Sequence, residues 1–327
     1  MRRWLIVLVL AACGGAAAAW WWLDQPLALA ASPADVTIAP GTSARGVARA
    51  VEQAGVRAPD WALFWWFRLS GDSRQIKAGS YEFAAGTTPR SLLDKLVRGE
   101  QALRSVTLVE GWTLRQVREA LAKADHLKPD SRAMSASALM AALGRPGVAG
   151  EGRFFPDTYA YPKGSSDLVV LKQALLAMDK QLDAAWAQRL PTVALQTPEQ
   201  ALTLASIVEK ETGRGDDRAQ ISGVFHNRLR IGMRLQTDPT VIYGLGEAFD
   251  GNLRRRDLQA DTPFNTYTRA GLPPTPIAMP GLQSLLAAVQ PASTQALYFV
   301  ARGDGSSHFS PTLDEHNRAV NRYQRAP

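Results

Sequence analysis

Two glutamates, Glu209 and Glu211, arrive at the end of an otherwise apolar stretch, Leu-Ala-Ser-Ile-Val-Glu-Lys-Glu-Thr-Gly at 204–213. A carboxyl group in apolar surroundings keeps its proton to higher pH, because desolvation disfavours the charged form, and such a group can act as a general acid near neutrality. At about 100° per residue on a helix, Glu211 shares a face with Leu204, Ile207 and Val208, whereas Glu209 shares one with Leu202, Ala205, Ser206 and Thr212. The small, polar second face suits a groove and the first suits a core. Helical geometry alone leaves open which glutamate does chemistry, and a Glu-Lys-Glu run is most often a solvated helix end, here partnering Lys210 and Arg214.

Other chemistries find little in the spacing. The four histidines, His126, His226, His308 and His316, form no His-Glu-x-x-His pair, and the single cysteine, Cys13, sits in an apolar N-terminal run. Neither a metal nor a cofactor is expected from these residues. No Gly-x-Gly-x-x-Gly, P-loop or Gly-x-Ser-x-Gly elbow occurs. Two loops punctuated by Pro and Gly, at 234–244 and 264–274, are dense in Asn, Gln, Thr and Tyr. They have hydroxyls, amides and rings to offer a carbohydrate.

The chain that must position these groups has 327 residues, 46% hydrophobic and 20% charged, with 26 Gly and 20 Pro. That excludes disordered, collagenous and coiled-coil classes and allows one large domain with a smaller one. The net charge is +7, from 37 basic against 30 acidic residues; without Arg2 and Arg3 it is 35 against 30. This mild surplus does not suggest a nucleic-acid partner.

Residues 4–23 carry no charge, follow Arg2 and Arg3, end in Trp20, Trp21 and Trp22, and stop at Asp24. Length, flanking arginines and terminal tryptophans predict a single transmembrane helix over 1–23, with a short cytoplasmic N-terminus and the body outside. Leu-Ala-Ala-Cys at 10–13 resembles a lipoprotein signal box, but only seven large apolar residues, Trp4 to Leu10, precede Cys13, and ten apolar or small residues follow it. With one cysteine, no internal disulfide can form.

Residues 24–34, rich in Ala, Pro and Ser, are expected to be a linker. Over 35–105, a strand, a Gly-Thr turn and an apolar-periodic helix occur twice, around Val36, Val47 and Val51 and again around Tyr81, Leu92 and Leu96. This reads as a small α+β domain. Between the copies lies the aromatic helix 61–69, in which Trp61, Phe64 and Trp65 are expected to face the core. Residues 106–327 read as a larger mixed α+β domain. Its expected helices include 168–190, a segment capped by Thr197 and stopped by Gly213, 218–230, and a final helix from Asp314.

The segments Glu-Gly-Trp-Thr at 110–113, Glu-Gly-Arg-Phe-Phe-Pro-Asp-Thr-Tyr at 151–159, 205–212, Phe-His-Asn-Arg-Leu at 225–229, 235–244 and 265–274 together resemble the endolytic murein transglycosylase, or YceG-like, family. The resemblance covers most of the chain and departs at Thr275-Pro276, where a Gly is expected nearby, and at His226, in a place often apolar. It implies an inner-membrane protein with a LysM-like small domain and a periplasmic catalytic domain. It also implies that Glu209 is catalytic, cleaving the β-1,4 bond between N-acetylmuramic acid and N-acetylglucosamine without water to leave a 1,6-anhydro end, and terminating nascent strands. Gln236, Asp238, Tyr243, Asn265 and Tyr267 are the candidates for orienting the sugar. Peptidoglycan strands, and synthases beside them, are the implied partners. Two rival readings are a hydrolase pairing Glu209 with Asp238 or Glu211, and a non-catalytic wall-binding scaffold.

Overall fold

The computed structural model describes residues 2–324; Met1 and residues 325–327, counted above in the 1–23 and 106–327 segments, lie outside the described residues. The chain is mixed α+β and divides into two compact units, residues 1–104 with 160–165, and residues 105–159 with 166–327.

In the first unit, α1 (Arg2–Trp22) holds a 20-residue apolar stretch long enough to cross a membrane, exposed along its length until Trp22, which packs on the core of the unit. This fits a single-pass anchor. Next come β1 (Ala28–Leu29), β2 (Ala34–Ile38), α2 (Ala44–Gln53), β3 (Val56–Arg57), α3 (Asp60–Leu69), β4 (Gly79–Phe83) and α4 (Pro89–Arg98). β2 pairs antiparallel with β4, and β1 with β3. Both expected Gly-Thr turns lead into capped helices: Ser43 accepts from the Gly46 N–H, and Thr88 and Ser91 cap α4 reciprocally, ahead of Pro89 at its first position. Gly99 closes α4 in the left-handed conformation, which costs glycine least.

The structure departs from expectation in three places. Residues 24–34 are not a free linker: Leu27 is buried, its N–H donates to Thr87 O, and Ala28–Leu29 is a strand. The inward face of α3 is Leu63 and Phe67, fully buried, while Trp61 and Trp65 stand in solvent. The helix is apolar on nearly every side, so periodicity could not choose the face. Residues 160–165, expected within the larger domain, belong to the first unit, where Lys163 bonds Asp35 at 2.8 Å and Glu82 at 3.2 Å.

β5 (Leu103–Thr107) pairs with β6 (Thr158–Pro162). The second unit is mainly helical: α5 (Leu114–Lys123), α6 (Ala136–Ala142), α7 (Asp167–Ala187), α8 (Pro198–Glu211), α9 (Gly215–Arg230), α10 (Asp238–Leu245), α11 (Arg255–Gln259) and α12 (Leu282–Val289). A hairpin of β7 (Tyr298–Ala301) and β8 (Ser307–Ser310) precedes α13 (Leu313–Gln324). α8 is its axis. Every residue from Ala201 to Val208 is buried, so both helical faces compared above are inside the protein. Thr197 caps α8 by accepting from the Gln200 N–H, but the Gln200 side chain turns to the Gln196 N–H instead of closing a box. The helix ends at Glu211 with Thr212 extended, and Gly213 is not in the left-handed form expected of a glycine stop.

His226, unusual in its apolar setting, is satisfied by backbone on both ring nitrogens. Nδ1 accepts from the Ala194 N–H at 2.9 Å and Nε2 lies 2.8 Å from Ala288 O, which assigns the neutral tautomer with Nε2–H. Burial also pushes its pKa down. It is a core residue.

Candidate active site

α8 delivers its last turn to a place where two loops meet, 276–281 and 110–113. The Ser206 hydroxyl accepts from the Ile277 N–H at 3.0 Å, fixing the 276–281 loop against the helix. That loop exchanges backbone bonds with 110–113: Gly111 N–H donates to Met279 O at 2.8 Å and Met279 N–H to Trp112 O at 2.7 Å. Lys210 reaches the same loop through Gly111 O at 3.3 Å. Thr113 then caps α5 in a reciprocal pair with Gln116.

Glu209 projects into this junction, its side chain only 6% exposed. Oε2 accepts from the Gly281 N–H at 3.0 Å, and Oε1 lies 3.5 Å from the Arg218 guanidinium. Gly281 is the N-cap of α12, so Glu209 is held near the positive end of a helix. A Cβ on Gly281 would collide with the Glu110 carboxylate, which places Glu110 beside the same glycine. The junction thus combines one buried, donor-held carboxylate with a second, exposed one.

Glu211, two residues on, points to the other side of the helix, as a turn of about 200° requires. It accepts from the Thr237 hydroxyl, and burial raises its pKa. Gln236, Asp238 and Tyr267 gather with Glu211 around a cavity of about 640 Å³, where Tyr267 donates to Asp238 at 2.6 Å. Arg228 supports this side, bonding Leu297 O and Leu235 O.

Tyr243 lies elsewhere, on a cavity of about 790 Å³ that it shares with Glu151, Leu114 and Thr275. Its hydroxyl donates to Glu151 at 3.0 Å, and the other Glu151 oxygen accepts from the Leu114 N–H at 2.9 Å. Burial pushes the Glu151 carboxyl up from 4.5 to about 7, against the lowering effect of these bonds. Asn265 is fully buried, and its amide donates to Asp257 O, Leu258 O and Ala260 O. It staples a loop and has no face left for a sugar.

The five residues expected to orient a sugar therefore split: Gln236, Asp238 and Tyr267 stand with Glu211, Tyr243 stands with Glu151, and Asn265 is internal. Three groups escaped the sequence reading. Glu110 and Glu151 open two of the motifs quoted above but were given no role, and Arg218 had no local pattern to mark it. Among the described residues, no group of three or more His, Cys, Asp and Glu side chains is arranged to hold a metal ion.

The YceG-like family profile matches residues 36–322. An endolytic murein transglycosylase of Bacillus subtilis is 29% identical over 88% of this chain and 84% of its own length. One from Streptococcus pneumoniae is 27% identical over 87% of this chain, which spans 57% of that relative's length. A crystal structure of a YceG-like protein from Listeria monocytogenes superposes with a TM-score of 0.54 at 29% identity, covering 87% of this chain and 98% of that one.

Proposed function

Because the chain belongs to the YceG-like family, we propose that it is a membrane-anchored endolytic lytic transglycosylase of peptidoglycan, with Glu209 as acid and then base. The observation that carries this reading is the buried Glu209 carboxyl, held between the Gly281 N–H and Arg218 where two loops meet the end of α8.

In the first step Glu209 gives its proton to the oxygen joining C1 of N-acetylmuramic acid to N-acetylglucosamine. The C1–O bond breaks, the N-acetylglucosamine leaves with a hydroxyl, and positive charge builds at C1. The Gly281 amide and the Arg218 cation supply donors to the carboxylate formed at that moment. In the second step the C6 hydroxyl of the same muramic acid attacks C1, and its proton returns to Glu209. The product is a 1,6-anhydro ring, with no water consumed. An internal nucleophile removes the need for the second carboxylate of a hydrolase.

The apolar α1 supports a single span of the inner membrane with the N-terminus cytoplasmic and the body periplasmic, beside growing strands and their synthases. The LysM-like reading of the first unit rests on its two strand, turn and helix copies.

Glu110 favours one alternative, a hydrolase in which that carboxylate activates water. Asp238 and Glu211 do not suit that role, since they face away from Glu209 with Tyr267 and Thr237. Mass spectrometry of uncross-linked glycan strands digested by the full-length protein and by Glu209→Gln separates the readings. Fragments one water lighter than hydrolysed ones, made by the wild type alone, are the expected result. Water-containing fragments point to the hydrolase, and cleavage by neither protein points to a binding scaffold.

A further inference from the structure

α3 turns three large apolar side chains outward: Trp61, Trp65 and Leu69 are 66%, 52% and 79% exposed. Spaced by four, they form one stripe along the helix, opposite the buried Leu63 and Phe67. A contiguous exposed stripe of this size marks a surface that meets something apolar.

The stripe does not stand alone. It forms one wall of a groove of about 680 Å³ whose other wall is α1, through Ala16, Ala19 and Trp20. Every residue lining this groove is Ala, Leu, Pro or Trp. Ala16 lies six residues before Trp22, a rise of about 9 Å, so α3 runs beside the last turns of α1. The placement is tied within the unit. Arg90 bonds Asp24 at 2.8 Å and lies over the Trp20 and Trp66 rings, while its N–H donates to Leu23 O.

Where α1 crosses a bilayer, its final turns occupy the boundary between acyl chains and headgroups, the depth at which tryptophan is most at ease. We propose that α3 lies in that boundary on the body side of the membrane, with Trp61, Trp65 and Leu69 among the lipids and an acyl chain filling the groove. Arg68 shares this side of α3 and is exposed; its long stem lets the guanidinium reach lipid phosphates. The first unit is then seated on the membrane by a second contact, not tethered through α1 alone. This rests on the reading of α1 as a span.

The test uses the full-length chain in vesicles of phosphatidylethanolamine and phosphatidylglycerol. Spin labels are placed singly at Trp61→Cys, Trp65→Cys, Leu69→Cys and Asp94→Cys in a Cys13→Ala background, and on native Cys13. Collisions are measured with oxygen and with a water-soluble nickel chelate. The expected ratio of oxygen to nickel accessibility at 61, 65 and 69 is about threefold or more above that at Asp94. Nickel accessibility equal to that at Asp94 overturns the proposal. Protection from both reagents also overturns it, in favour of a protein partner or a second copy, and immobilisation by added soluble glycan overturns it in favour of a sugar platform. If Cys13 itself is not oxygen-accessible, it is the span that fails. Label-induced misfolding is bypassed by fluorescence with brominated lipids, where Trp61→Phe with Trp65→Phe removes quenchable signal and Trp186→Phe does not. Equal loss in both would sink the proposal.

Discussion

Tyr243 donates its hydroxyl to Glu151 at 3.0 Å inside a site where the carboxyl is pushed up to about 7. Between pH 4.5 and 7 the folded chain therefore keeps a proton that the unfolded chain has lost. Stability from this group is complete below about pH 4.5, falls as pH rises, and levels off above about 7, a difference of about 3 kcal/mol. Denaturant unfolding of the detergent-solubilised protein checks this. Glu151→Gln is expected to flatten the slope in that window and to stabilise the protein at pH 8 relative to wild type.

Arg218 is the only cation bonded to Glu209 among the described residues. Replacing it with Gln leaves a shorter, neutral donor and no charge for the carboxylate formed as the proton departs. Cleavage is expected to slow by about tenfold to a hundredfold, in kcat more than in KM, because the lost contact matters most once charge develops. Steady-state kinetics on isolated strands measures the split, and a change confined to KM would assign Arg218 to substrate binding.

Much of this architecture was legible. The apolar run over α1, the Ser43 and Thr88 caps, Gly99, Thr197 and the long α7 all follow from local signals that act within one turn of chain. The face of α3 was not, because aromatic residues occur all around it and only tertiary contacts separate Phe67 from Trp65. Nor was the grouping of the polar loop residues. Gln236 and Asp238 lie close to Tyr243 in sequence, yet α10 begins at Asp238 and carries Tyr243 to the Glu151 cavity while Asp238 stays with Tyr267. The Glu209 junction depends on the meeting of residues 110, 209 and 281, which no spacing rule encodes.

Two glycines on α9 and at the start of α12 should respond differently to alanine. At Gly223 a Cβ would meet Ala292 O and Thr294 Cγ2, each at 2.7 Å, and the backbone oxygen is fixed by the Ala292 N–H bond to Ala219 O. Gly223→Ala is expected to cost about 1–3 kcal/mol of stability, as overpacking does. At Gly281 the backbone φ is −78°, open to any residue, and the obstacle is the exposed tip of Glu110, which can swing away. Gly281→Ala is expected to cost under about 1 kcal/mol, and Glu110→Ala beside it should remove the steric part. Thermal unfolding of the two single variants and the pair tests this, and a Gly281→Ala penalty as large as that of Gly223→Ala would show Glu110 to be rigidly held.

Asn265 separates a structural from a sugar-binding role most sharply. Its amide nitrogen donates to three carbonyls, at 3.2, 3.0 and 2.7 Å, and its oxygen accepts from the Tyr267 N–H at 2.8 Å. Asn265→Asp keeps the shape and the acceptor but turns the donor into an oxygen facing three other oxygens. The buried carboxylate must then be protonated or expel the loop, so the variant is expected to lose about 3 kcal/mol or more at neutral pH and to recover part of it toward pH 4. Asn265→Ala, which removes the donors without adding charge, should lose less, and its deficit relative to wild type, measured beside it at each pH, should not shrink toward pH 4. Unfolding curves at pH 4 and pH 7 for both variants measure these differences. If both fold as stably as wild type and only strand binding weakens, the amide belongs to the substrate site after all.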